Sequence, residues 1–444
     1  MAEKLSTAKS QKQLRNIIKN QKGDFSVKYG MLMHKTTCNI GDDIQSYASS
    51  KFLPQIDYFV DRETINTFTS EKNEPVATVM SAWYMWEKWN WPPAKCIYPK
   101  FVGMHYSDHQ ISKQPGSPIK TEFLEGIGNE YLNAYSPIGV RDYSTLKSFK
   151  EIGIDAYYSG CITLTLPKMQ VKTPEKEYIC VVDVEKPVIE KIKKEIENTG
   201  IELKIVTHRV NYRDYDISWD ERKDKVEELL TLYQNAKCVV TRRLHCALPC
   251  LALGVPVLTI ITHTPAAANR FEPFYDYLNN CTQDEYLNGK YDYDVTNPPQ
   301  NNGKHIEVRN KLISDIEEFI KEANNNNKTT EELCRTNYSD NDIMIWKNEK
   351  MKDALHAWLL QTRKFDKEFK KLKKECDKLK LQRKKDKALI KTLKKFEKEN
   401  KKLVEKDKQS QEKLKTYERM KKSRLINGVI SIRNKVKSNK IELK

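Results

Sequence analysis

Arg243 and His245 stand two positions apart in the span Val239-Val240-Thr241-Arg242-Arg243-Leu244-His245. There a β-branched run gives way to the apolar helical spacing of Leu244, Leu248, Leu251 and Leu253, closed by Gly254. Guanidinium and imidazole at a strand-to-helix junction suit an anion. Helix N-termini present unpaired N–H groups, and open α/β sheets bind ligands at the carboxyl ends of their strands. The expected ligand is a small metabolite carrying phosphate or carboxylate. Arg141, after the apolar Pro137-Ile138-Gly139-Val140, is placed in the same way. Two arginines would supply the forked donors that a doubly anionic ligand needs. The plainer reading of Arg141 is a strand-end ion pair with its neighbour Asp142.

His245 is the first candidate for proton transfer, because imidazole titrates near neutrality; capping or packing at a helix start is its plainer role. His105 follows an expected strand at Phe101 to Met104, and His208 follows one at Ile201 to Thr207, so both reach a carboxyl edge and join the catalytic candidates. Asp42, in Asn39-Ile40-Gly41-Asp42, is placed either to accept a hydroxyl proton or to cap the following helix. Trp83, Tyr84, Trp86, Trp89 and Trp91 offer flat faces to a sugar, or pack a core. The ten cysteines are scattered, and the one close pair, Cys246 and Cys250, has helical spacing without a second pair. That is no zinc knuckle, and no metal site is expected. Gly126-Ile127-Gly128 alone is not a dinucleotide fingerprint, and there is no phosphate-binding P-loop.

These residues need strands and helices to hold them. Strands are expected at Phe25 to Leu32, Pro75 to Met80, Phe101 to Met104, Pro137 to Val140 and Ala156 to Tyr158, with helices at Ile44 to Phe52 and Ser144 to Ile152. From Tyr178 onward the alternation is regular: strand to Val184, helix Lys186 to Thr199, strand Ile201 to Thr207, helix Glu221 to Ala236. Strand Cys238 to Thr241, the helix after Arg243 and strand Val255 to Ile261 complete it. Such alternation implies doubly wound parallel sheets. The expected division is a basic polar segment over 1–23, an N-terminal α/β lobe over 24–170, and a C-terminal α/β lobe over 171–322. An Asn-rich linker over 323–340 and a Lys-rich helical or coiled-coil tail over 341–444 follow. Phe365, Phe369, Leu372, Cys376 and Leu379 keep a 4-3-4-3 spacing, and Leu393, Phe396, Leu403, Leu414 and Tyr417 resume it in a shifted register.

Charge divides the same way. From Gln361 onward 32 basic residues face 12 acidic ones, a net of +20, whereas residues 1–360 carry 46 and 49, a net of −3. The basicity belongs to the tail, so no specific nucleic-acid binding is expected of the body. Single cysteines fit a reducing compartment. The polar N-terminus lacks the apolar stretch of a secretory signal, and no run approaches the roughly 18 apolar residues of a spanning helix. A cytoplasmic protein is expected, peripheral at the inner membrane face if the basic tail meets anionic lipid. A partner helix on the tail, or a homo-oligomer, is the other expectation.

Asn39-Ile-Gly-Asp42 with Gln45 and Ala48, Gly139-Val-Arg-Asp142 with Ser144-Thr145-Leu146, Ser159-Gly160-Cys161, and Thr241-Arg-Arg-Leu-His245 through Gly254-Val-Pro256 occur in this order. Over roughly Tyr29 to Phe319 the chain thereby resembles the polysaccharide pyruvyl transferases. The resemblance implies two Rossmann-like lobes similar to the B-type glycosyltransferase fold. It implies transfer of pyruvyl from phosphoenolpyruvate onto a sugar of a surface polysaccharide, or its lipid-linked precursor, as a ketal. Phosphoenolpyruvate would be a co-substrate, with no cofactor. Arg243, Leu244 and His245, with Arg141 opposite, would bind the donor, and Asn39, Gly41, Trp83 and Tyr84 would face the saccharide acceptor. The chain departs from many relatives in carrying Ser81-Ala82-Trp83-Tyr84 in place of a glycine-rich turn, which bears on the shape of the acceptor side. Two alternatives stay open: a nucleotide-sugar-dependent glycosyltransferase, and a non-catalytic polysaccharide-assembly protein.

Overall fold

The computed structural model describes residues 27–84, 90–106, 123–210, 217–261 and 270–404, with 428, 431–433 and 435. The segment 1–23, Trp86, Trp89, Leu414 and Tyr417 lie outside them. The chain forms two compact units, Met1–Asp353 and Ala354–Lys444. The strands are β1 Lys28–Met33, β2 Tyr58–Asp61, β3 Val76–Met80, β4 Trp83–Tyr84, β5 Ile97–Phe101, β6 His105–Tyr106, β7 Ile138–Val140 and β8 Ala156–Tyr158. They continue as β9 Tyr178–Val182, β10 Glu202–Val206, β11 Cys238–Thr241, β12 Val257–Ile261 and β13 Asn279–Thr282. The helices are α1 Ile40–Ser50, α2 Gly126–Ala134, α3 Tyr143–Glu151, α4 Lys186–Glu195, α5 Trp219–Gln234, α6 Leu244–Leu253, α7 Gln283–Leu287, α8 Ile306–Asn324, α9 Thr330–Leu333 and α10 Asp340–Val404.

Two parallel sheets dominate the first unit, ordered β2-β1-β3-β5 and β10-β9-β11-β12-β13. Their central strands alternate two apolar faces. Tyr29, Met31 and Met33 of β1 join the same cluster as Tyr178, Cys180 and Val182 of β9, whereas Leu32 and Ile179 face the outer layers. The helices α1, α5 and α6 fill the space between the sheets: Ile44 and Tyr47, Val226 and Tyr233, and Leu248 and Leu251 all belong to that shared cluster. One apolar core is therefore continuous from sheet to sheet, rather than two cores meeting across an open division. Polar bonds cross it too, Arg222 Nη2 donating to the carbonyl of Lys35 at 2.6 Å and the Tyr47 hydroxyl to Glu227 Oε1 at 2.9 Å.

Two short pairs extend the first half. β4 pairs with β6 and β7 with β8, and the bridge Met104–Val140 joins one pair to the other. The strand expected at 101–104 lies at Ile97–Phe101 instead. Local caps explain the helix starts. Asn39 accepts from Gly41 N ahead of α1, Asp142 accepts from Thr145 N ahead of α3, and Ser218 with Glu221 closes a capping box on α5. Gly254, at φ +73°, stops α6 in the left-handed conformation open to glycine. The stretch expected as a linker contains α9, whose Thr330 and Leu333 are buried. No helix among the described residues is long and apolar enough to cross a membrane.

Candidate active site at the carboxyl edges of the sheets

In each sheet the chain reverses its direction of travel at one place, between β1 and β3 and between β9 and β11. Crevices at such switch points are where ligands of this architecture bind. Asp183 follows β9 and Arg243 follows Thr241 of β11, so the second switch point holds an acid and a base. Arg243 Nε donates to Asp183 Oδ2 at 2.7 Å. Asp183 adopts φ +53°, a conformation aspartate tolerates better than most residues. It also accepts from Thr207 Oγ1 at 2.7 Å and from the His208 amide at 3.0 Å. Burial opposes its charge, but these bonds and Arg243 hold its carboxyl below the ordinary value. The plain ion pair imagined for Arg141 is thus formed by Arg243.

Arg141 has no such partner. Its side chain is 1% exposed, and Nη1 donates to Gln45 Oε1 at 2.7 Å and faces His245 Nε2 at 3.3 Å. Its Nε meets no acceptor. Arg270 lies close enough to Arg141 for each to feel the other's charge; burial first, then Arg141, push its guanidinium down to about 10. The Arg270 Nε is also buried without a partner, and its guanidinium carbon sits 5.2 Å from the Trp83 ring centroid. A buried cation left short of acceptors is costly; here Arg141 is buried and Arg270 partly so, with the Asp42 and Asp142 carboxylates near enough to act on Arg270.

His245 begins α6 with ψ 16°, off the helical value. A guanidinium donates, so His245 Nε2 accepts and its proton sits on Nδ1. Burial, then Arg141, hold the imidazole well below its ordinary value, hence neutral. A Cβ on Gly41 would come within 2.9 Å of His245 Cβ and 3.0 Å of Nδ1. Glycine is what lets α1 approach α6 this closely. Asp42 is bridged to Arg141 through Gln45, whose Nε2 donates to Asp42 Oδ1 at 3.3 Å. Burial raises the Asp42 carboxyl, but His34, Arg62, a hydrogen bond from Thr37 and His245 outweigh it and keep it ionised. The cap of α1 is Asn39, not Asp42.

His105 forms a second constellation. Its Nδ1 lies 2.6 Å from Asp142 Oδ2, and its Nε2 is buried without a partner. Asp142 is held by the Thr145 amide at 2.8 Å and hydroxyl at 2.9 Å. Burial opposes its charge, but His105 and Thr145 keep it below the ordinary value, so Asp142 is a carboxylate. Nδ1 then carries the proton and Nε2 an open lone pair. Burial, outweighing Asp142, brings His105 down to about 4. The Trp83 ring meets His105 edge-on, centroids 5.0 Å apart. Gly139 makes this geometry accessible: a Cβ there would strike the Phe101 carbonyl at 2.7 Å, which would push β7 and Arg141 away.

Arg141, His245, Asp42, Gly41, His105 and Trp83 are therefore brought together. Three other candidates are placed differently. His208 is 1% exposed, with Nε2 bound to the Tyr233 hydroxyl at 2.7 Å. Its carbonyl and the bridge Asn39–Arg209 clip α1 to the second half. Tyr84, next to Trp83 on a strand, points to the opposite face and stacks in an aromatic core with Trp91 and Phe123. Leu244 is packed in the shared core, leaving only its backbone at the helix start. Sequence reasoning gave no role to Arg270, Gln45, Asp183 or His34. Gln45 alone carried a signal, within the motif that begins at Asn39; Asp183 fell inside the strand expected to run to Val184, and only the end of β9 at Val182 sets it at a strand end. His34 follows β1 at the first switch point; burial, then Arg62, take it down to about 3. Among the described residues no group of three His, Cys, Asp or Glu side chains is placed to hold a metal ion.

Two arginines, one buried and one partly buried, stand with two neutral imidazoles at the carboxyl edges of parallel sheets, an arrangement of the doubly wound α/β class. A sequence model of the polysaccharide pyruvyl transferase family matches residues 39–264, and the chain belongs to that family. No curated protein matches the chain. Among solved structures it is similar to the S. aureus MnaA–UDP co-structure, with 12% identity over 71% of this chain and 75% of that one, at a TM-score of 0.27. It is also similar to the wall teichoic acid polymerase TagF, with 12% identity over 79% and 98%, at 0.30. The accessory secretory protein 1, 2 and 3 structure from Streptococcus pneumoniae matches with 11% identity over 72% and 58%, at 0.28. Scores this low carry no argument about fold or chemistry.

Proposed function

We propose that the protein transfers pyruvyl from phosphoenolpyruvate to a sugar of a surface polysaccharide, or its lipid-linked precursor, as a cyclic ketal. One observation carries the reading beyond the family: Arg141, buried, and Arg270, partly buried, lie within electrostatic reach of each other, and each has a buried Nε that meets no acceptor. Phosphoenolpyruvate brings a phosphate and a carboxylate, and guanidinium suits both. Arg243 adds a third cation from the second sheet, braced by Asp183.

The chemistry divides between the histidines. A sugar hydroxyl gives its proton to His105 Nε2 as its oxygen attacks the central carbon of the enol. Asp142 holds His105 in the tautomer that makes this a base. The methylene carbon takes a proton from His245 and becomes methyl. For that His245 must first be charged. Donor oxygens that draw Arg141 away from Nε2 and add negative charge beside the ring raise its affinity for a proton. A second hydroxyl then closes the ring as the carbon–phosphate oxygen bond breaks, and its proton leaves with phosphate. Solvent returns one proton to His245 and removes one from His105. Trp83, half-buried beside His105, is the sugar platform. Incubation with phosphoenolpyruvate and candidate sugars should release phosphate and add pyruvate mass to the sugar. Phosphate release with unmodified sugar would contradict the proposal.

A further inference from the structure

In the second unit, α10 carries over 355–379 an apolar side that stays exposed among the described residues. Leu355, Trp358, Phe365, Phe369 and Leu372 are all exposed, from 40% for Trp358 to 65% for Phe369. With Thr362, Cys376 and Leu379 they repeat at alternating spacings of three and four, the seam of a left-handed coiled coil. Leu355, Thr362, Phe369 and Cys376 take the first core position of each heptad, and Trp358, Phe365, Leu372 and Leu379 the second.

Flanking charges decide what fits the seam. On one side lie Ala354, Gln361, Glu368 and Glu375; on the other, Leu359, Asp366, Lys373 and Lys380. A parallel, in-register partner of the same sequence brings each residue of the first side opposite the residue five places on in the other chain. Glu368 then meets Lys373, Glu375 meets Lys380, Gln361 meets Asp366, and Ala354 meets Leu359. Every pair is compatible. An antiparallel copy over the same stretch pairs each side with itself, which sets Glu368 opposite Gln361 and Asp366 opposite Lys373 and leaves half as many opposite-charge pairs as the parallel arrangement. An anionic membrane would instead meet three acids, Asp366, Glu368 and Glu375, against two lysines beside the apolar face, where a lysine-rich rim is what anionic lipid draws in. Within each chain Lys380 lies 3.7 Å from Asp377, but both are exposed and the lysine is free to swing to a second carboxylate.

We propose that the 355–379 stretch of α10 joins two copies of this chain in a parallel, in-register coiled coil. The full-length chain should sediment as a dimer at micromolar concentration. Glu368→Lys with Glu375→Lys should give monomers, and so should Lys373→Glu with Lys380→Glu, while an equal mixture of the two variants should dimerise again. Register is read separately at Cys376, an exposed free thiol on a first core position. Diamide, which accepts the two electrons and two protons of a dithiol, should link wild-type chains into disulfide dimers and leave Cys376→Ser unlinked. A monomeric wild type, a dimer indifferent to both charge reversals, a mixture that stays monomeric, or crosslinking absent from wild type or persisting in Cys376→Ser would each overturn the proposal. So would a wild-type monomer that co-sediments with phosphatidylserine vesicles.

Discussion

Arg141 and Arg243 are both strand-end arginines facing the space between the sheets, yet they live in opposite circumstances. Arg243 is bonded to Asp183, and that carboxylate is itself held by Thr207 and the His208 amide. Arg141 is more deeply buried, shares its Nη1 between a neutral amide and a neutral imidazole, and has an Nε with no acceptor. The first is a finished structural pair; the second leaves a buried donor unfilled, and the proposed function assigns that donor to the ligand. The difference separates residues that hold the crevice in shape from residues that use it, although both looked alike as sequence.

The sharpest way to break the comparison is to remove each arginine. Arg141→Met should lower turnover by about 1,000-fold or more, the scale of losing a principal charge-stabilising donor. Its melting temperature should hold or rise, because an unpaired buried charge goes with it. Arg243→Met should lose turnover and melting temperature together, because Asp183 is left buried without its cation. Equal thermal losses in both variants would erase the distinction.

The next effect is at His105. His105→Gln should reduce kcat by about 100- to 10,000-fold, the usual range of general acid–base catalysis, while phosphoenolpyruvate binding, measured by calorimetry, persists. A loss confined to binding would make His105 an anion ligand instead.

The pH dependence of stability is smaller. His34 and His105 are buried neutral, at about 3 and about 4, and His245 also lies far below its ordinary value. Their depressed values mean that the unfolded chain binds these protons first. Stability is present above the unfolded histidine value and is lost as pH falls from there toward 4, by up to about 1.4 kcal/mol per pH unit for each histidine. Melting temperature followed over that window should fall, and His105→Gln should make the fall shallower. A flat profile would show that these rings are not buried neutral.

The smallest effect belongs to the brace between helices. Gly41→Ala places a methyl against the His245 ring and should lower kcat/KM several-fold with the fold intact by circular dichroism. An unchanged rate would mean that the α1–α6 spacing does not set His245.

Much of this was legible because the central strands are buried on both faces and read as apolar runs: β1, β3, β9, β11 and β12 were found within a few residues. What escaped lies mainly at sheet edges. β13 carries little apolar signal, Asn279-Asn280-Cys281-Thr282 being held by its register with β12, and β2, Tyr58-Phe59-Val60-Asp61, is a four-residue edge strand too short to show a period. β5 contains Pro99 and Lys100, which argue against a strand except at an edge, where β5 sits. At the site, order along the chain brought forward Arg141, Arg243 and His245 but could not say which arginine would be paired. That depends on Asp183, about 60 residues before Arg243 and about 40 after Arg141, and on how β9 and β11 align. Arg270 had no motif to announce it, and the His105–Asp142 bond joins residues whose nearness only the Met104–Val140 bridge creates.

The central claim is that Arg141 and Arg270 await an anion. Thermal denaturation of wild type and Arg141→Met, each with and without phosphoenolpyruvate, tests it most directly. Ligand at about 100 times its dissociation constant stabilises a folded protein by about 2.7 kcal/mol, so wild type should melt several degrees higher with phosphoenolpyruvate and Arg141→Met should not respond. An equal rise in both proteins, or none in wild type, would contradict the account.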